Sequence, residues 1–215
     1  MLARLRISVP DRPGSLGRVT SAIGTAGGDI AKVDVLESEA GRALDDVYVQ
    51  VRDPAHLNRL CRTVESLPGV TINGVQHPAP PATGHTELEL VQQVLSQPDR
   101  SLQTLVDGAP GALGADWAAL VEFDPDGAQQ AVLAVSTRGP AAEVITITAP
   151  LRLSSVRVLD PRTGEPYSGA ALVPLTGTQV GLLLVRESGV DFHRSELWRL
   201  GSVGAIIGPA AGATV

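Results

Sequence analysis

The chain has 215 residues, enough for one large domain or two small ones. Hydrophobic residues make up 43% and charged residues 19%, which excludes a disordered chain. A net charge of −6 with no basic cluster excludes the electrostatic footprint of nucleic-acid binding and a basic helix lying on an anionic membrane. Aromatics are only 3%, so Ala, Val, Leu and Ile must build the core. No run of about 18 apolar residues is present, so no membrane-spanning helix is expected. Cys61 is the single cysteine, and no apolar leader follows Met1. Both point to a reducing, cytoplasmic setting.

In the first stretch, Leu5, Ile7 and Val9 alternate with Arg4, Arg6 and Ser8, a strand with one apolar face. Pro10 to Gly14 breaks it. Leu16, Val19, Ile23 and Ala26 form a helical stripe that Gly27-Gly28 ends. A second strand over 30–38 and a turn at Ala40-Gly41-Arg42 follow. Val47, Val49 and Val51 alternate in a third strand, and Asp45-Asp46 before them reads as a solvated pair near the turn. Asp53-Pro54 supplies an N-cap acceptor and a proline at the first helical position. Leu57, Leu60, Val64 and Leu67 give the second helical stripe, and Val70 and Ile72 open a last strand. The order strand, helix, strand, strand, helix, strand predicts an α+β, ferredoxin-like βαββαβ unit over 1–76. An edge or face left over predicts pairing with a second copy or a covering domain.

Residues 77–85 contain three prolines and a glycine with no hydrophobic period, which reads as a linker. Residues 1–76 carry nine basic and nine acidic side chains, so the net charge sits in 77–215. A second unit is expected over 86–209, with a short tail at 210–215. Thr86 and Glu89 suggest a capping box on its first helix, with Leu88, Val91 and Leu95 as the stripe. A second helix through Leu102, Leu105 and Val106 is expected to end at Gly108-Ala109-Pro110-Gly111. Trp117, Ala119, Val121 and Phe123 alternate in a strand, Asp124 to Gly127 is a turn, and Ala131 to Thr137 returns. Weaker strands at 144–148 and 156–159, a hairpin-like pair at 170–175 and 180–185, and a helix from Phe192 complete the unit.

Val9-Pro10-Asp11-Arg12-Pro13-Gly14-Ser15-Leu16, followed by Ile23-Gly24-Thr25-Ala26-Gly27-Gly28-Asp29-Ile30, closely resembles the ACT domain. Leu67-Pro68-Gly69-Val70 resembles that family's entry into its last strand. The resemblance implies a dimeric small-molecule sensor, most often for amino acids, with ligand held between the first turn and the second strand of a partner subunit. Carried onto this chain, Asp11, Arg12, Pro13, Gly14, Ser15 and Leu16 form the turn, and Asp29, Ile30 and Lys32 face them. Independently, amides of Gly14, Ser15 and Leu16 at a helix start suit a carboxylate, and Asp11 or Asp29 suits an ammonium. Amino-acid-binding members often carry Asn or His where this chain has these two acids. Asp11 as a plain helix cap, and the unit as a plain dimer scaffold, are the alternative readings.

In the second unit, Trp117-Ala118-Ala119-Leu120-Val121-Glu122-Phe123-Asp124, Val173-Pro174-Leu175, Val180-Gly181-Leu182-Leu183-Leu184-Val185 and the helix opening Phe192 to Leu200 resemble a GAF domain, a cousin of the PAS fold. This implies an α+β domain with a central antiparallel sheet. Residues 138–169 are short for a family member with a deep pocket, and Cys61 lies outside the unit, so a packed or dimerising domain is expected rather than a chromophore site.

The rest of the chain assembles no nucleophile, base and stabiliser. His56, His77, His85 and His193 have no metal-ligand spacing. Ser15, Ser136 and Ser195 have no Gly-x-Ser-x-Gly setting. Cys61 sits beside an apolar stripe and reads as a small hydrophobe. The expectation is a non-catalytic regulator without cofactor or metal. It binds an amino acid or similar small carboxylate at a homodimer interface and acts in trans on a separate protein partner. A ligand-free adaptor that joins a larger complex is the alternative.

Overall fold

The computed structural model describes residues 1–77 and 86–211. The chain divides into two compact units, Met1–Pro80 and Pro81–Val215. Of the expected linker only His77 is among the described residues, and of the expected tail residues 212–215 lie outside them.

The first unit runs β1 (Leu2–Pro10), α1 (Ser15–Thr25), β2 (Asp29–Glu39), β3 (Arg42–Gln50), α2 (Pro54–Glu65) and β4 (Thr71–Gln76). The sheet is antiparallel in the order β2-β3-β1-β4, the ferredoxin-like arrangement expected from the apolar periods. Leu5, Ile7, Val9, Val47 and Val49 on the sheet meet Val19, Ile23, Leu57, Leu60 and Val64 on the helices in one core. Asp53 caps α2 by accepting the His56 N–H at 2.6 Å, as its position before Pro54 predicts. The paired glycines after α1 have separate reasons. Gly27 takes φ +84, the left-handed stop. Gly28 lies where a Cβ would come within 2.6 Å of Leu60 and 2.8 Å of Val49.

The polar side of β1 departs from expectation. Arg4 and Arg6 are buried, and both donate to the Asp46 carboxylate, Arg6 through Nε at 2.9 Å and Nη2 at 2.8 Å. Arg6 stands directly opposite Asp46 in the β1–β3 ladder. Asp45 and Asp46 are therefore interior residues of β3, 2% and 1% exposed, and not a solvated pair at a turn. Buried charges persist where each finds a partner, and Asp46 finds two.

The second unit contains α3 (Thr86–Ser96), α4 (Ser101–Leu113), β5 (Trp117–Phe123), β6 (Gln129–Val135), β7 (Ser154–Ser155), β8 (Gly169–Pro174), β9 (Val180–Arg186) and α5 (Arg194–Ala211). Its sheet is antiparallel in the order β6-β5-β9-β8-β7. The α+β architecture with a central antiparallel sheet is as expected, but several details differ. Thr86 is the first residue of α3, and its hydroxyl donates to the Ala112 carbonyl at the end of α4 at 3.3 Å, so it ties the two helices rather than standing before α3 as its cap. The α4 helix runs through Pro110 to a left-handed stop at Gly114, because Ala109 and Leu113 are core residues. The β5 strand is buried on both faces: Ala118 and Leu120 pack against the helices, while Trp117, Ala119, Val121 and Phe123 enter a second core. The weak strand expected at 144–148 is a short 3-10 turn, Ala142–Val144, leading into extended chain.

Two features lock α5. A Cβ at Gly208 would lie 2.2 Å from the Thr176 carbonyl oxygen, so the helix rests on backbone there. Arg186, 1% exposed, pairs with Glu196 at 2.7 Å, donates Nε to the Gly114 carbonyl at 2.9 Å, and lies over the Phe192 ring at 3.8 Å. Glu196 in turn accepts the His193 N–H at 2.9 Å. One ion pair thus ties β9, the end of α4 and the start of α5. Removing one partner leaves the other charge buried, so Arg186→Met is expected to cost about 3–5 kcal/mol in denaturant unfolding, with the double variant Arg186→Met/Glu196→Leu recovering most of it. Gly208→Ala is expected to cost about 2 kcal/mol or more by overpacking, read from the same unfolding curves.

Candidate functional site

The turn between β1 and α1 is held at both ends. The Asp11 N–H donates to the Gly41 carbonyl at 2.8 Å, and the Asp11 carboxylate accepts from the Ser38 hydroxyl. The Ser15 N–H donates to the Arg12 carbonyl at 3.2 Å, and the Gly14 carbonyl accepts the Arg18 N–H at 3.1 Å. Gly14 sits at φ +85, where an L side chain is strained, although a Cβ there would meet nothing within 4 Å. Its role is conformational and not one of close packing.

No side chain caps α1, so the reading of Asp11 as a helix cap does not hold. Of the three amides expected to face a carboxylate, that of Ser15 is already used within the turn. Among the described residues, the Gly14, Leu16 and Gly17 N–H groups have no acceptor. Unpaired N–H groups at a helix start bind anions through their own dipoles. Gly17 was not singled out by sequence, although as the third residue after the Gly14 N-cap it belongs to the first turn, whose N–H groups have no intrahelical acceptor.

Asp11 to Leu16 are brought together, with Asp11, Arg12, Pro13 and Gly14 exposed and Ser15 buried. Asp29, Ile30 and Lys32 lie elsewhere in the same copy. Pro10 aligns with Arg42 and through it with Glu39, whereas Leu2 aligns with Gln50 and through it with Asp29. Eight strand steps separate the two ends, roughly 26 Å. Lys32 pairs with Asp34 at 2.8 Å and stands over the Tyr48 ring at 5.5 Å. Tyr48 shares a side of β3 with Asp46, opposite Ile7 and the helices. The two groups do not meet within one copy, and β2 is an edge strand of 11 residues.

Asp45 is the residue that sequence reading missed. It stands opposite Ile7 on β1 and Val35 on β2, on the side of the sheet that faces the helices. Its side chain is buried, and its Oδ1 has no hydrogen-bond partner. Burial pushes its carboxyl above the ordinary value, and the carboxylates of Asp46 and Asp11 push it further the same way. A signal was present: the apolar alternation Val47, Val49, Val51, continued backward, puts position 45 on the core side.

Other candidates have structural roles. His56 is buried, with Nε2 2.8 Å from the Ala26 carbonyl and Nδ1 accepting the Arg52 N–H at 3.2 Å. Burial pushes the Cys61 thiol up, which leaves it a poor nucleophile. In the second unit, Trp117, Phe123, Ile145, Ile147 and Val158 fill the sheet face opposite the helices. A crevice of about 300 Å³ remains at the β7–β8 edge, lined by Ser155, Arg157, Tyr167, Ser168 and Asp191 among others. Among the described residues no group of three or more His, Cys, Asp or Glu side chains is placed to hold a metal, and no helix is long and apolar enough to cross a membrane.

Residues 1–72 match the family model of the ACT domain. The chain is 32% identical over 128 residues to NAD-dependent malic enzyme 1 of Bacillus subtilis (strain 168), an alignment covering 59% of this chain and 28% of that protein. The chain thus spans just over a quarter of that relative's length. The ACT domain of GTP pyrophosphokinase from Chlorobium tepidum is similar at 21% identity, covering 35% of this chain and 95% of that one, with a TM-score of 0.30. The GAF domain of an Acinetobacter phosphoenolpyruvate-protein phosphotransferase is similar at 12% identity, covering 61% and 95%, with a TM-score of 0.40. The N-terminal unit of this chain has an ACT-like ferredoxin fold.

Proposed function

We propose that this protein is a ligand-sensing regulator whose ACT domain binds an amino acid between two copies of the chain and controls a separate protein in trans. The observation that carries this reading is the uncapped start of α1. Gly14, Leu16 and Gly17 present N–H groups with no acceptor, behind a turn that Gly14 holds open at φ +85. A ligand carboxylate supplies the missing acceptor.

The reading requires two-fold antiparallel pairing of β2 with the β2 of a second copy, which its edge position allows. Such pairing sets the Asp29 end of one strand beside the Glu39 end of the other. Asp29 and Ile30 of the second copy then approach the Asp11–Leu16 turn, which a single copy does not allow. Ligand bound across that junction favours one packing of the two copies, and the partner protein reads that packing. The resemblance to a quarter of a malic enzyme makes a metabolic enzyme a reasonable kind of partner.

The test is a thermal-shift panel of the common amino acids on the full chain, with sedimentation in parallel. Ligand at about 100 times its dissociation constant adds roughly 2.7 kcal/mol to the folded state, which raises the midpoint by several degrees. A selective rise accompanied by a shift towards dimer is expected. A flat panel from a folded dimer overturns sensing at this turn.

A further inference from the structure

We propose that Asp45 is the specificity-determining residue of this ligand site: it receives the ammonium group of the ligand, so the site takes amino compounds and rejects the same carboxylates without an amino group. The inference rests on the turn reading given above and goes beyond it by naming the group that discriminates.

The argument begins with an unmatched charge. Asp45 is 2% exposed and its Oδ1 has no donor. A buried carboxyl without a donor carries the full cost of its lost hydration. Its neighbour Asp46 stands on the other side of β3, where Arg4 and Arg6 satisfy it. Neither arginine serves Asp45. The groups around Asp45 on its own side are Ile7 from β1, Val35 from β2 and, close enough to act electrostatically, Asp11 from the turn. The α1 helix carries one charged residue, Arg18, whose guanidinium is 3.4 Å from the Ser15 hydroxyl. The carboxylates at this corner are Asp45 and Asp11, the latter accepting from the Ser38 hydroxyl, and the cations on the adjoining turn and helix are the exposed Arg12 and Arg18.

Access is from the helix side of β2, above the strand pairing proposed between copies. Val35, directly opposite Asp45 on β2, is 66% exposed, so the helix layer stops short of β2 at that level. A zwitterionic ligand entering there finds carboxylate acceptors at Asp45 and Asp11 and free N–H donors at the start of α1. The combination matches an amino acid: its ammonium answers the carboxylates, and its carboxylate answers the amides. It also accounts for two acids in a site expected to hold a carboxylate. A ligand that is only an anion meets repulsion from both acids. An ammonium is preferred over a divalent cation because no cluster of three ligating side chains forms among the described residues.

Burial and the two neighbouring acids raise the Asp45 carboxyl above its ordinary value of 3.8, so ammonium binding must expel a proton over part of the pH range. The sign follows. The native carboxyl holds its proton more tightly than the unfolded one, so its contribution to stability is full below pH 3.8 and declines as pH rises through the raised native value. Ligand affinity runs the other way and tightens over the same interval.

The experiment uses the full chain, wild type and Asp45→Asn, with Val35→Lys as a second variant that leaves the core untouched and whose pairing of copies is checked by sedimentation, since β2 is the proposed pairing strand. Probes are the common amino acids, the matched carboxylates acetate, propionate, succinate and glutarate, and ethylammonium, read by thermal shift and calorimetry. The expected result is binding of an amino acid but not of its deaminated counterpart, weakened about tenfold or more in both variants. The wild-type affinity should tighten as pH rises above 3.8 and the Asp45→Asn affinity should not. Without ligand, Asp45→Asn should melt at or above the wild type at neutral pH. If the variants bind an amino acid as tightly as the wild type, or a deaminated carboxylate binds equally well, Asp45 is overturned and the turn reading stands. Ethylammonium binding lost in Asp45→Asn, with no amino acid bound, supports Asp45 and overturns the amino-acid reading. No response to any probe overturns both.

Discussion

The register between β1 and β3 depends on one buried carboxylate. Asp46 accepts from Arg4 and from Arg6, and its burial makes both contacts expensive to lose. Side chains alternate along a strand, so a slip of one residue sends every side chain of β3 to the other face. A slipped β3 would bury Asp46 without its arginines and turn Val47 and Val49 out of the core. The same constraint determines where Asp45 stands. With Asp46 committed to the arginines, Asp45 must face the helices, opposite Ile7 and Val35. A polar clamp on one side of the sheet thus delivers an unmatched carboxyl to the other.

The turn before α1 shows a related division of labour. Gly14 supplies the positive φ that lets the chain leave β1 and enter the helix within four residues. The cost of that sharp entry is that no side chain is placed to cap the helix. The free N–H groups that result are both a local instability and a binding capacity. Asp11 is drawn away from them by Ser38 and by its own N–H bond to Gly41, which anchors the turn to the β2–β3 connection. The site is therefore built by elements distant in sequence, although each is short.

The second unit is organised differently. Its central strand β5 has apolar side chains on both faces, and the face away from the helices is filled by Trp117, Phe123 and side chains from the irregular middle segment. Arg186 and Glu196 hold the closing helix to the end of β9 and to α4.

Much of the fold was legible from apolar periods and punctuation. Leu5-Ile7-Val9, the stripes on α1 and α2, Gly27, and Asp53-Pro54 each act within one element or one turn, so local physics suffices to read them. The turn from Asp11 to Leu16 was legible for the same reason. What sequence alone left undecided involves partners far along the chain. The pairing of Arg4 and Arg6 with Asp46 spans about forty residues, and that of Arg186 joins three elements. The helix through Pro110 is decided by the burial of Ala109 and Leu113, which outweighs the local breaker signal. Asp45 carries both lessons. Its place on the apolar side follows from a period of two that begins at Val51, yet its lack of a donor is a property of everything packed around it. Sequence determines which face a residue takes when the period is regular; only the tertiary structure decides whether a partner waits there, because a partner is a matter of distance in space.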